Sequence, residues 1–477
     1  MNWFEQIAFQ ARLSPNEPAV IFPGGMATYS RLVDCVENAS QQVLRAGLTK
    51  GEIVALEIQH PLLHLVAILA LHRCGIASLT LQTGHLAERA ELKIDRLLTD
   101  RYPQDRSWSP VLIDKNWLMP PPGAPVLPVA GFDSPDAVCR IVLTSGTTGK
   151  PKAVSVTERT LQFRFNRSAM LSDRGRYLCM MGFSTIGGYQ TLMSALVLGG
   201  AACFAGAPED VLQVIGLYHV THLVAAPFQI RAVLDSQTKS RFDLPSLRNV
   251  MLAGGHISQA LIAEVAQKLC PNVICIYGST ELGPVAYGPA ASMGGIEGAT
   301  GFVLPGEIVE VVDQNGTPLP QGEEGTIRIK AAHIDRYFVP NPEDAEIFKD
   351  GYFYPGDLGR LMPDNLLVIT GRRDELINRG GSKAAPDLIE EVLRQFPEIA
   401  DAAVFAVPNT DQIWAAVVCR SALRQNEILD QCRQKLAGVA PDRLFVLDRI
   451  PRNDMGKIIR EEMKAKIMRK LAVSFMS

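Results

Sequence analysis

Cysteine is sparse and scattered: nine residues, at positions 35, 74, 139, 179, 203, 270, 275, 419 and 432, with no CxxC pair and no dense cluster. That odd, dispersed set excludes a disulfide-stapled scaffold and reads as buried thiols in a reducing compartment. No apolar run reaches the ~20 residues of a spanning helix. Leu62–Leu71 is too short, and Leu192–Ala207 is rich in Gly and Ala. The opening MNWFEQIAFQARL lacks a basic leader region and carries Glu5 early, unlike a signal peptide. Excess charge of either sign is also missing: 47 basic and 50 acidic side chains leave −3, which argues against wholesale attraction to nucleic acid or anionic lipid. A cytoplasmic protein is the expectation. The eight histidines form no HExxH, and no Cys or acid completes a zinc pattern around His219 and His222, so no transition metal is assigned.

What is present is an ordinary globular composition, 47% hydrophobic and 20% charged over 477 residues, enough for two to four domains. Strand-like and helix-like stretches alternate through the first two-thirds. Glu52–Gln59, Arg140–Leu143, Leu223–Ala226, Val250–Ala253 and Val273–Tyr277 read as strands, and Pro61–Cys74, Glu209–Tyr218 and Ser258–Lys268 as helices. Such alternation predicts α/β sheets with parallel pairing. After about residue 300, Glu307–Asp313 and Gly325–Lys330 alternate in antiparallel style. The last hundred residues mix the strands Ala402–Val407, Ala415–Cys419 and Leu444–Leu447 with two helices. In the first helix Leu388, Ile389, Val392, Leu393 and Phe396 form one core-facing side; in the second, Asn426 is the expected cap. The expected architecture is a large N-terminal α/β region with a β-rich subdomain (1–373) and a small mobile α+β domain (374–477).

Chemistry concentrates in Thr144-Ser145-Gly146-Thr147-Thr148-Gly149-Lys150-Pro151-Lys152, directly after an apolar strand. Hydroxyls, glycines and lysines there suit a polyphosphate, held by backbone amides in a concavity. Gly146 and Gly149 are too close for a Walker A loop, which disfavours a phosphotransferase of that type.

TSGTTGKPK resembles the phosphate-loop signature of the adenylate-forming superfamily of acyl- and aryl-CoA ligases, peptide-synthetase adenylation domains and luciferases. Tyr277-Gly278-Ser279-Thr280-Glu281, Gly351–Asp357, Gly371-Arg372-Arg373-Asp374 and Pro451–Lys457 follow in the superfamily's order, so the resemblance covers nearly the whole chain. It implies activation of a small carboxylic acid by ATP, then transfer to a thiol. In that reading Thr144–Gly149 and Lys152 hold phosphates, Thr280 contacts the α-phosphate, and Glu281 holds Mg²⁺. Tyr277 lies on one side of the adenine and Gly254, Gly255 and His256 on the other. Asp357 accepts from the ribose hydroxyls, Arg372 reaches ribose and phosphate, and Lys457 bridges the carboxylate and α-phosphate. Asp374 is the hinge, Gly380 and Gly381 enter a thiol tunnel, and Phe183, Ser184, Thr185, Gly187 and Tyr189 belong to the acid pocket.

The chain departs from the pattern in that last segment. Phe183–Tyr189 has no His where many acyl-CoA ligases have one, and no Asp to anchor an α-ammonium group, so an uncharged pocket is expected. INRGGSK looks more like CoA ligases than peptide-synthetase domains. CoA is therefore the expected acceptor, with an acyl-carrier protein or an amine as alternatives, and a catalytically silent homologue as the rival from another class.

Overall fold

The computed structural model describes residues 3–81, 92–102, 110–120, 123, 125–145, 151–168, 171–236, 244–342, 344–379, 382–407, 410–452 and 457–474. One sheet is ordered Val111–Leu112, Arg96–Thr99, Ile53–Glu57, Ala77–Thr80, Val138–Ser145, Pro151–Thr157; all neighbours are parallel except the last pair. Its helix Pro61–Arg73 has Pro at the first turn and stops before Gly75, whose φ of +70° only glycine adopts readily. Almost every side chain of that helix is buried, as its unbroken apolar sequence requires.

The largest sheet begins with parallel strands in the order Val273–Ser279, Asn249–Ala253, His222–Ala225, Arg176–Cys179, Ala201–Cys203 and Pro18–Phe22. The helices Ile186–Val197, Val211–Tyr218, Pro227–Ser236 and Gln259–Lys268 connect them. The alternation read in the sequence is therefore a parallel α/β layer. Beyond Val273–Ser279 the same sheet turns antiparallel through Gly283–Pro289, Ala299–Val303, Leu366–Arg372, Asp357–Leu361 and Gly325–Lys330, where Ile308–Val312 pairs in antiparallel register.

Among the described residues, most buried hydrophobic side chains from Ile377 onward fall in two clusters that include nothing earlier in the chain. The strands Ile399–Ala406, Ile413–Cys419 and Arg443–Val446 make a separate sheet, packed by helices Pro386–Arg394, Gln425–Leu436 and Arg460–Ser474. Two expectations need correction here. Leu388 is 51% exposed, because the buried sector is set by Ile389, Leu393 and Phe396 and leaves Leu388 at the far edge of the apolar arc. Asn426 is not a cap: the helix starts at Gln425, so Asn426 already lies in its first turn.

Candidate active site

Three antiparallel strand pairs and one strand end build the site. Val138–Ser145 and Pro151–Thr157 pair so that Thr144 faces Lys152 across the ladder, with the Thr144 hydroxyl 3.3 Å from the Lys152 carbonyl oxygen it donates to. The predicted phosphate segment thus begins and ends on two paired strands. Its residues Gly146, Thr147, Thr148 and Gly149 lie outside the described residues, as do Gly380 and Gly381. Lys152 Nζ is 3.2 Å from Asp344 Oδ1 and 4.5 Å from the centre of the Tyr337 ring.

A hairpin pairs Val273–Ser279 with Gly283–Pro289, leaving Thr280-Glu281-Leu282 as its three-residue loop. Gly283 has φ +75°, and a Cβ on Gly278 would sit 2.2 Å from the Gly283 carbonyl oxygen. The tight return needs glycine at both positions, and it thrusts Thr280 and Glu281 into the cavity.

Beneath this loop lies a buried ion pair absent from the sequence reading. Arg164 and Asp335 approach to 2.9 Å with side chains 1% and 4% exposed, and Arg164 Nη2 donates to the Thr280 carbonyl at 3.1 Å. The Asp335 N–H donates to the Glu281 carbonyl at 2.8 Å, and the Tyr337 hydroxyl to Glu281 Oε1 at 3.2 Å. Burial pushes the Asp335 carboxyl up to about 6, against the pull of Arg164. No pattern in the sequence marks Arg164, which sits on an otherwise unremarked helix, or Asp335, which sits in a loop.

Across the cavity the Tyr277 hydroxyl donates to Asp357 Oδ2 at 2.5 Å, and Arg372 Nη1 donates to Asp357 Oδ1 at 3.3 Å. Burial raises the Asp357 carboxyl, while Arg372, the Tyr277 hydrogen bond and the charge of Lys457 pull it back. The same burial, with Asp357 alongside, holds the Tyr277 phenol well above its ordinary range. Asp374 accepts from Arg372 Nε and Nη2 at 3.1 and 3.3 Å, fixing the guanidinium that reaches Asp357. His256 is 3.3 Å from Glu297 Oε1. Burial would lower its pKa, but Glu297, Asp387 and Glu391 raise it overall.

One cavity of about 1800 Å³ gathers these groups. Of the predicted residues, Thr144, Lys152, Gly254, Gly255, His256, Tyr277, Gly278, Ser279, Thr280, Glu281, Asp357, Arg372 and Lys457 line it, together with Thr185 and Gly187. Phe183 and Tyr189 do not. Arg140, buried in Val138–Ser145, holds the Phe183 carbonyl at 2.6 Å, and its guanidinium lies 5.0 Å from the Tyr189 ring centre. The Phe183 ring packs on His64 and Phe204 instead. Both aromatics are core, and the wall of the cavity passes to Gln190, Thr191 and Ser194 farther along the same helix. Ser184 and Asp374 are likewise not on the cavity wall.

Among the described residues no group of three or more His, Cys, Asp or Glu could cage a metal. A single buried carboxylate on the cavity wall still fits Mg²⁺, which commonly takes one or two carboxylates and completes its shell with phosphates and water. Glu281 meets that description.

Comparison with known proteins bears on the family and the fold. Residues 7–337 match the family model described as AMP-binding enzyme, and residues 388–457 match its C-terminal domain. The chain is 27% identical to 2-succinylbenzoate–CoA ligase of Bacillus subtilis, over 97% of each chain. It is 26% identical to 4-chlorobenzoate–CoA ligase of Arthrobacter sp., over 97% of this chain and 94% of that one. The structure of O-succinylbenzoate coenzyme A synthetase from B. subtilis in complex with AMP superposes with a TM-score of 0.84 at 26% identity, covering 97% of this chain and 98% of that one. No helix among the described residues is long and apolar enough to cross a membrane. The chain belongs to the AMP-binding enzymes of the adenylate-forming superfamily.

Proposed function

We infer that this protein is an ATP- and Mg²⁺-dependent acid–CoA ligase of the AMP-forming type, and that its acid is a small aromatic carboxylic acid. The observation that carries the reading is the convergence of Thr280, Glu281, Tyr277, Asp357, Arg372 and Lys457 on one cavity. CoA ligases of aromatic acids among the relatives support the aromatic class.

In the first half-reaction a carboxylate oxygen of the acid attacks the α-phosphorus of ATP, and the bond to the pyrophosphate oxygen breaks. Asp357 accepts from the ribose hydroxyls, and the Tyr277 ring covers the base. Lys457 supplies positive charge where it accumulates, between the attacking carboxylate and the α-phosphate. Thr280 donates to the α-phosphate, and Lys152 exchanges Asp344 for phosphate oxygens. Glu281 would hold Mg²⁺, which would supply neutralisation of phosphate charge when bound. In the second half-reaction the CoA thiolate attacks the acyl carbon and AMP leaves with the bridging oxygen.

We divide the chain at Asp374 into a large domain (1–373) and a small mobile domain (374–477), the latter bringing Gly380 and Gly381 to the thiol for the second step. The separate hydrophobic clusters after Ile377 support that division. The experiment is pyrophosphate release with ATP and Mg²⁺ across aromatic and aliphatic acids, with and without CoA. Release with aromatic acids that rises on adding CoA supports the reading. Release indifferent to CoA points instead to a carrier protein or amine as acceptor.

A further inference from the structure

The helix Ile186–Val197 presents Gly187, Gln190, Thr191 and Ser194 to the cavity, the i, i+3, i+4, i+7 positions of one face. The surroundings are apolar: Tyr177, Met181, Val224, Met251 and Ile276 line the same cavity and belong to, or pack against, one hydrophobic cluster. In such a wall every polar atom needs a partner. The Tyr177 and Tyr287 hydroxyls donate to the carbonyls of Asp173 and Leu171, the Thr185 hydroxyl caps its own helix, and the Thr191 hydroxyl bonds the Cys179 thiol. Gln190 and Ser194 differ. They are 6% and 3% exposed, and Gln190 Nε2 and Ser194 Oγ have no hydrogen-bond partner among the described residues. A helical serine commonly bonds the carbonyl one turn back; this one does not.

Resting on the proposed function, we propose that Gln190 and Ser194 select acids bearing a second oxygen away from the reacting carboxylate. Gln190 Nε2 can only donate, so the missing partner is an acceptor; Ser194 Oγ adds a second donor or an acceptor to the same group. A hydroxyl, a keto carbonyl or a further carboxylate shares that chemistry. An acid without such an oxygen leaves both groups unpaired in a dry wall, the situation in which an enzyme rejects an analogue most strongly.

The test is kcat/KM for pyrophosphate release with benzoate, the three hydroxybenzoates, 2-acetylbenzoate and the three benzenedicarboxylates, and with hexanoate beside 6-hydroxyhexanoate. At least one oxygen-bearing acid is expected to exceed its plain analogue by about tenfold or more. The hydroxyl, keto and dicarboxylate arms identify the source of the oxygen. Ser194→Ala and Gln190→Met are each expected to lower that ratio and, in the double variant, to bring it near one. Each variant is also expected to raise the melting temperature of the unliganded enzyme, because it removes an unpaired buried polar group. Plain acids turned over as well as all oxygenated ones, or ratios unchanged in both variants, would overturn the selection while leaving acid activation standing. No release with any acid would overturn acid activation and the selection with it.

Discussion

Tyr277 and Asp357 lie 80 residues apart in sequence, and the phenol of one donates to the carboxylate of the other at 2.5 Å at the edge of the cavity. This pairing ties the residue meant for the base to the residue meant for the ribose. It also helps keep Asp357 ionised, since the hydrogen bond opposes the upward push of burial. Tyr277→Phe removes a contribution that lowers the Asp357 pKa, so the carboxyl moves further up. The acid limb of kcat/KM for ATP should therefore shift to higher pH, and KM for ATP should rise several-fold. A pH profile unmoved by the substitution contradicts the coupling.

The Arg164–Asp335 pair carries a stability prediction. Asp335→Ala leaves a buried guanidinium without its counter-charge, which costs about 3–5 kcal/mol. Replacing both, as Arg164→Met with Asp335→Leu, should recover most of that loss in denaturant melts. It should not restore turnover, because the Thr280 carbonyl loses its donor.

The same carboxyl sets a pH dependence. Its folded-state pKa, about 6, stands above the ordinary aspartate value, so between roughly pH 4 and 6 the folded state binds more proton than the unfolded state. Stability from this group is fully present below that window and is lost as pH rises through it. Asp335→Asn should flatten the slope of unfolding free energy against pH there; an unchanged slope assigns it to other groups.

Lys457 lines the cavity, and its charge lowers the pKa of Asp357. Lys457→Ala should reduce pyrophosphate release by roughly 10²–10³-fold. Thioester formation from a supplied acyl-adenylate should survive, because that step does not draw on the lysine. Equal loss in both steps would remove Lys457 from its assigned role.

The helix Pro386–Arg394 is tied to the N-terminal region through Glu391, which accepts from Arg231 at 3.4 Å and from the Ser258 hydroxyl at 3.1 Å. These contacts hold the arrangement in which Lys457 reaches the cavity. Glu391→Ala should slow adenylate formation several-fold without slowing the thioester step, measured in separate half-reactions.

Much of the parallel sheet was legible because buried strands announce themselves as short apolar runs between helices, and Val250–Ala253 and Val273–Tyr277 needed no partner to be recognised. Glu281, Tyr277, Asp357 and Arg372 were legible through ordered motifs. The residues that hold them were not. Arg164 and Asp335 come from distant segments and meet only after folding, and a lone Arg on a helix normally reads as surface. Phe183 and Tyr189 lie off the cavity wall for the converse reason. Their composition suits a ligand pocket, but buried Arg140, with no carboxylate in its hydrogen-bond set, draws both into the core and hands the wall to Gln190 and Ser194.

The most direct measurement of acyl-adenylate chemistry follows oxygen. The enzyme is given ATP, Mg²⁺, CoA and an acid it turns over, labelled with ¹⁸O in its carboxylate, and the products are weighed by mass spectrometry. One labelled oxygen in AMP, with unlabelled pyrophosphate and an acyl-CoA product, is the expected result. Unlabelled AMP, or ADP and phosphate in its place, would contradict attack of the carboxylate on the α-phosphorus.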